Sequence, residues 1–280
     1  MSETITGTDS VPESYEYLST LIEHLTGLDM HFGFWSGAED DASIEQATAR
    51  LTDIVIDRLG VGPGDRVLDV GCGNGGPAVR IAETTGAEVV AVDVNEAALR
   101  RGESRSAASG TEALVTFTHT DALSLPHDDD TFGAVLAFES TPHFELDPLF
   151  GELSRVLRPG GALVIETPCL PPQFPEPDSP SVRRYLDLLQ ARKLHTVDEL
   201  TAAVSGAGLE TRSATDITGH TNRSFHELTD RLREHSQQLH DTYGSSGLDE
   251  LVEIFGHWAD LNIGGHIIEA RKPATTTVAR

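Results

Sequence analysis

The chain has 280 residues, enough to bury a sizeable core, and carries a net charge of -25 with a pI near 4.6. That acidity argues against a nucleic-acid backbone or an anionic membrane as partner, and no apolar run approaches the ~20 residues that span a bilayer. The two cysteines, Cys72 and Cys169, have no metal-ligand spacing, and Met1 to Pro12 lacks a basic, apolar leader, so a reduced, cytoplasmic protein is expected.

Tyr15 to Thr26 reads as a short helix, followed by the aromatic segment His31-Phe-Gly-Phe-Trp35 and an acidic, mobile stretch from Gly37 to Asp41. Ser43-x-x-Gln46 is a capping box, and Ile44, Ala47, Leu51, Ile54 and Val55 form the apolar face of the helix it opens. After a turn from Gly60 to Asp65 the pattern alternates. Strands are expected at 66–71, 88–93, 114–118, 132–138 and 162–167, with helices at 76–85, 95–105 and 148–157. Strands alternating with helices imply a doubly wound α/β fold with a parallel sheet, whose ligands bind beyond the carboxyl ends of the strands.

Beyond Thr167 this alternation stops. Pro168 to Pro180 holds six prolines and reads as a loop leaving the sheet. Val182, Tyr185, Leu186 and Leu189 mark one helix, and Thr196-x-x-Glu199 caps another that runs to Gly206. A strand from Leu209 to Ile217 follows, then a helix capped by Ser224-x-x-Glu227 and reaching about residue 241, a helix from Leu248 to Trp258, and a last strand from Gly264 to Ala270. The expected division is a helical and aromatic lid segment at 1–42, a ligand-binding core at 43–170, and lid helices at 171–280 with two strands that return to the sheet.

The richest stretch is Arg66-Val-Leu-Asp-Val-Gly-Cys-Gly-Asn-Gly-Gly-Pro77. An apolar strand runs into alternating glycines, and a proline then opens a helix, a unit that lays backbone donors against a small ligand. Its spacing also fits the dinucleotide fingerprint. Asp69 lies inside the strand, where a carboxylate suits an ammonium group better than a pyrophosphate. Asp93 ends the second strand, where it can bind ribose hydroxyls, a role common to nicotinamide and S-adenosylmethionine sites. Asp121 follows the third strand, within reach of an adenine amino group.

Val67 to Gly75, Asp93, Asp121-Ala122 and Arg155-Val-Leu-Arg-Pro-Gly-Gly161 together resemble the class I S-adenosylmethionine-dependent methyltransferases. The resemblance covers roughly residues 43 to 170. It implies a Rossmann-like, seven-stranded sheet with an edge hairpin of the last two strands and a mostly helical lid. It further implies cofactor contacts from Asp69, Gly71, Cys72 and Gly73, from Asp93 and Val94, from Asp121 and Ala122, and from Phe138. His31 to Trp35, Glu139-Ser-x-x-His143 and the closing His266 to Pro273 are similar to bacterial natural-product methyltransferases, including sugar O-methyltransferases. In that group the histidine of the Glu-Ser-x-x-His segment is the base, which points to His143, with Glu139 beside it. An acidic residue at the end of the fifth strand often assists; here Thr167 takes that position, and Glu166 falls on the opposite face.

The absence of that acid leaves C-methylation open beside O-methylation, since relatives in the group methylate terpenoid and indole scaffolds. Tyr17, Phe34, Trp35, Phe144, Phe174 and Tyr185 are the candidate aromatic walls for the acceptor, Trp35 first among them. The remaining histidines are scattered without a ligand-like cluster, so no metal is expected. The partner expected is a small-molecule secondary metabolite, with a homo-oligomer left open. The alternatives are a cyclase on the same fold, either coupled to C-methylation or keeping the cofactor without transferring its methyl, an amine N-methyltransferase, and an NAD(P)-dependent oxidoreductase.

Overall fold

The computed structural model describes residue 21 and residues 31–171, 180–236, 248–261 and 263–274. The expected helix from Tyr15 to Thr26 lies almost wholly outside them. Helix α1 spans Ile44–Leu59. The alternating core follows as β1 (Arg66–Val70), α2 (Gly76–Thr85), β2 (Glu88–Asp93), α3 (Glu96–Ser109), β3 (Val115–His119), β4 (Phe132–Phe138), α4 (Leu146–Val156) and β5 (Leu157–Cys169). Then come α5 (Pro180–Leu188), α6 (Val197–Gly206), β6 (Glu210–Asp216), a single turn α7 (Thr218–Thr221), α8 (Arg223–Glu234), α9 (Leu248–Asp260) and β7 (Gly264–Arg271).

The seven strands form one sheet in the order β3-β2-β1-β4-β5-β7-β6. The first five are parallel, and β7 returns antiparallel into the place between β5 and β6. β4 is buried along its whole length, as a central parallel strand covered on both faces must be. Alternation then sorts the side chains. Val67, Leu136, Val164 and Ile267 face α1, α8 and α9, while Leu68, Val135, Leu163, Ile165 and Ile268 face α4 and α6.

The local signals act as the residue types dictate. In both capping boxes the bonds are reciprocal: Ser43 with Gln46, and Thr196 with Glu199. Gly86 closes α2 in the left-handed region, φ 70°. Asn95 caps α3 through bonds from the Ala97 and Ala98 amides.

Three expectations need correction. The helix expected from Ser224 starts earlier, because the Asp216 carboxylate accepts from Thr218 N at 2.8 Å and opens α7, which runs almost directly into α8. Ser224 is therefore inside the helix, and its hydroxyl accepts from Gly33 N at 2.9 Å. The Gly37–Asp41 stretch is organised rather than mobile: Asp40 accepts from the amide and hydroxyl of Ser36 and from Arg50, and Arg223 reaches its carbonyl at 2.7 Å. Strand β5 continues through Pro168 to Cys169. The missing proline N–H would face β4, which has already ended at Phe138, so no ladder bond is lost.

Candidate active site

The glycine loop is built against the neighbouring strand. Gly71 N and Cys72 N both donate to Val92 O, at 2.9 and 3.1 Å. Gly73 N donates to one oxygen of Asp93 at 2.8 Å, and Asn95 N to the other at 2.8 Å, so the Asp93 carboxylate is fixed from two sides. Gly71, at φ 67°, passes so close to the turn after β4 that a Cβ there would lie 2.6 Å from that of Ser140. Gly73, at φ 52°, is the opposite case: a Cβ would meet nothing within 4 Å, so open space lies above this turn.

Two apolar side chains stand exposed just past the ends of the neighbouring strands. Val94 and Leu123 are the large hydrophobic side chains that stay exposed among the described residues, at 51% and 37%, and they follow β2 and β3. Asp121 sets the second of these by accepting from Leu123 N at 2.8 Å. Ala122 is buried behind them. Leu123 was not singled out in the sequence; the signal was an apolar residue placed directly after Asp121-Ala122. Asp69 is buried at 1% exposure, two residues before the loop. The Cys72 thiol is pushed up by burial and then by the Asp69 and Asp93 carboxylates, so it is no nucleophile. An open glycine turn, a fixed carboxylate and two apolar flaps fit an adenosine moiety.

The other half of the site is the end of β4. Phe138 is buried, with the His31 ring stacked on it at 4.3 Å. Glu139 then takes φ 48°, a left-handed conformation that a side chain adopts only at a cost of ~1–3 kcal/mol and that clusters at functional sites. Two bonds hold it there: Glu139 N donates to Glu166 O at 2.7 Å, and Phe32 N donates to Glu139 Oε1 at 2.7 Å. Its carboxyl is raised to about 8 by burial, opposed by the Phe32 amide.

Thr141–His143 form a single 3-10 turn. The Pro142 carbonyl accepts from Arg192 N and Lys193 N at 2.8 and 3.2 Å, which pins that turn. His143 Nδ1 lies 3.2 Å from Gln190 O. Burial lowers the pKa of the imidazole, opposed by the Gln190 bond and by Asp93. It is neutral at pH 7 and fit to accept a proton. Thr167 bonds Thr141 at 2.8 Å between hydroxyls, on the face where the assisting carboxylate was looked for, while Glu166 is wholly buried on the other face.

The structure redistributes the aromatic candidates. Trp35, expected on the acceptor wall, is 2% exposed. It is packed with Ala42, Ile44 and Ala47, donates its indole N–H to Ala42 O at 2.9 Å, and lies under the Arg223 guanidinium. Its aromatic surface is already spent on packing. Phe144 is turned by the 3-10 segment onto the α4 and α6 face, away from Glu139. Phe34 is partly buried and stacks on His220 at 4.3 Å. Tyr17 and Phe174 lie outside the described residues, as does the side chain of Tyr185. His31, which the sequence reading left without a role, comes to the site through Phe138. Among the described residues no group of three or more His, Cys, Asp or Glu gathers to hold a metal, and no helix is long and apolar enough to cross a membrane.

Carboxylates, an open glycine turn and a neutral histidine at the carboxyl ends of a doubly wound sheet define a class: an enzyme core that holds an adenosine-bearing cofactor. Comparison with known proteins narrows it. Residues 67–161 match a methyltransferase domain. The chain is 30% identical over 269 residues to the 27-O-demethylrifamycin SV methyltransferase of Amycolatopsis mediterranei, spanning 95% of this chain and 97% of that protein. It is 31% identical over 265 residues to methyltransferase GfsG of Streptomyces halstedii, spanning 94% of each. The solved structure of the 4+2 cyclase SpnF superposes with a TM-score of 0.81 at 27% identity, over 95% of this chain and 98% of that one. The chain belongs to the S-adenosylmethionine-dependent methyltransferases.

Proposed function

We propose that the chain methylates an oxygen of a small, largely apolar secondary metabolite, held between the strand ends and a cover made of residues 31–41 and helices α5, α7, α8 and α9. S-Adenosylmethionine supplies the electrophilic methyl group and leaves as S-adenosylhomocysteine. The chain's own part is placement. Gly73 and Asp93 would receive the ribose, Val94 and Leu123 would close over the base, and Asp69 suits the ammonium group.

The observation that carries the oxygen assignment is His143. A hydroxyl is a weak nucleophile until its proton is taken, and a positioned base contributes ~10²–10⁴ in rate. His143 is neutral by burial and held on a pinned turn beside the cofactor loop, with Nδ1 against the Gln190 carbonyl. With its proton on Nδ1, the basic nitrogen is Nε2. The name of the Amycolatopsis relative, which is matched over nearly its full length, supports the same atom and the same kind of acceptor. Two buried, unpaired cysteines support a reducing compartment such as the cytoplasm for the reaction.

The test is incubation with S-adenosylmethionine and a panel of hydroxylated polyketides that includes 27-O-demethylrifamycin SV, read by mass spectrometry. One added methyl, lost when the hydroxyl of the acceptor is masked, is the expected result. Methylation that survives masking would move the reaction to carbon, and conversion of an acceptor without added mass would make the chain a cyclase.

A further inference from the structure

Glu166 is left unexplained by the reaction above. It is 0% exposed, and neither of its carboxyl oxygens has a hydrogen-bond partner. A buried carboxylate without a partner is costly enough that the group takes up a proton instead. The fold makes room for it deliberately. Glu166 Oε1 occupies the space beside Gly265 of β7, where a Cβ would come within 2.3 Å of that oxygen. Glycine weakens a strand interior, and its use there marks a close approach.

Across the β4–β5 pairing the ionisable neighbour of Glu166 is Glu139. The β4–β5 register sets Phe138 opposite Glu166, and Glu139 N bonds Glu166 O at 2.7 Å. Both side chains lie on the sheet face that carries Phe32, Val164 and Ile267. Glu139 is partly open and Glu166 fully enclosed behind it.

The other titratable groups around them are Asp69 of β1, His31 against Phe138, His143 of the 3-10 turn and Cys169 of β5, whose thiol is raised by burial first and then by Glu166. His266 of β7 sits on the opposite face, opposite Thr167. From α7, His220 is engaged with Trp35 O. Burial, and after it the charge of Glu139, holds Glu166 well above the carboxylate range.

We propose that Glu139 and Glu166 form a coupled carboxyl pair in one enclosed site, in which Glu139 gives up its proton first and its charge then holds the proton on Glu166. Two carboxyls in one enclosed site cannot both ionise freely, and their protons leave in steps that belong to the pair. Burial keeps Glu139, the partly open member, protonatable near neutral pH, and Glu166 behind it keeps its proton as Glu139 ionises.

Titration of the full-length chain, labelled with carbon-13 at the glutamate carboxyls and without cofactor or acceptor, tests this. Two resonances should titrate far above all others, each with two inflections because each carbon senses the ionisation of its neighbour. In Glu139→Gln the Glu166 midpoint should fall by about one pH unit or more. In Glu166→Gln the Glu139 resonance should show a single inflection. The two inflections are read on the wild-type chain, so the test survives a variant that does not fold. Single, independent inflections, or a Glu166 midpoint unmoved by Glu139→Gln, would overturn the pairing. Because no acceptor is present, that result would leave the methyl-transfer reading untouched.

Discussion

At the scale of single residues the site rests on Asp93 and His143, and each has a distinct signature. Asp93→Ala removes the proposed acceptor for ribose and also the one that shapes the loop through Gly73 N and Asn95 N. Hydrogen bonds to a charged group are worth about 1.5–3 kcal/mol, so S-adenosylhomocysteine affinity should fall on the order of 10- to 100-fold in titration calorimetry. Unchanged affinity would refute the ribose assignment. His143→Ala should leave that affinity within about twofold while cutting turnover of a hydroxyl acceptor by ~10²–10⁴. Its pH profile carries a sign. Burial lowers the His143 pKa, so the base stays deprotonated further into acid, and the rising limb of kcat should fall below the ordinary histidine value of about 6.5. A limb well above that value would assign it to another group, Glu139 first. The motif residues were legible in the sequence because their backbone context is local. Trp35 was not, because an aromatic ring reads alike whether it walls a pocket or fills a core. Glu166 was set aside by a face argument that was right about the face, and only the β4–β5 register showed Glu139 beside it.

At the scale of elements, β7 is the strand whose sequence looks least like its job. Gly264 and Gly265 open it, and each is required by a neighbour. A Cβ on Gly264 would meet Thr218 backbone at 2.6 Å, and one on Gly265 would meet the Glu166 carboxyl at 2.3 Å. Overpacking of a closed site costs about 1–3 kcal/mol, so Gly265→Ala should lower stability by that amount in urea denaturation. Combined with Glu166→Ala, the penalty should largely vanish, because the added methyl then enters the space the carboxyl has left. Strictly additive effects would show that Ile217, 3.1 Å away, is the real obstacle. The same elements explain what the sequence showed and hid. Capping boxes and left-handed glycines are written in a few adjacent residues, and α1, α2 and α6 were readable from them. The α7–α8 start depends on Asp216, at the end of a strand, and the Asp40 network depends on Arg50 and Arg223, ten and 183 residues away. Such tertiary partners leave no local trace.

At the scale of the whole molecule the dominant quantity is a net charge of -25. Many cations are already committed: Arg155 bonds both Glu152 and Asp129, Arg80 bonds Asp53, and Arg231 bonds Glu45. Pairs of this kind, on or near the surface, contribute about 0–1 kcal/mol each and are weakened by salt. Even if every lysine and arginine were paired with one carboxylate, the acidic excess would remain, and its mutual repulsion is long-ranged. The screening length falls from about 30 Å at 0.01 M salt to about 8 Å at 0.15 M, so salt removes the repulsion between distant carboxylates before it erodes contacts of about 3 Å. The two effects oppose each other, and the excess decides the sign. The melting temperature should rise with sodium chloride over this range; a relief of about 1 kcal/mol corresponds to about 2–4 °C for a domain of this size. Potassium chloride at equal ionic strength should act alike if screening is the cause. A melting temperature that falls with salt would mean that the local ion pairs outweigh the excess, and that the acidic surface is arranged to keep its like charges apart.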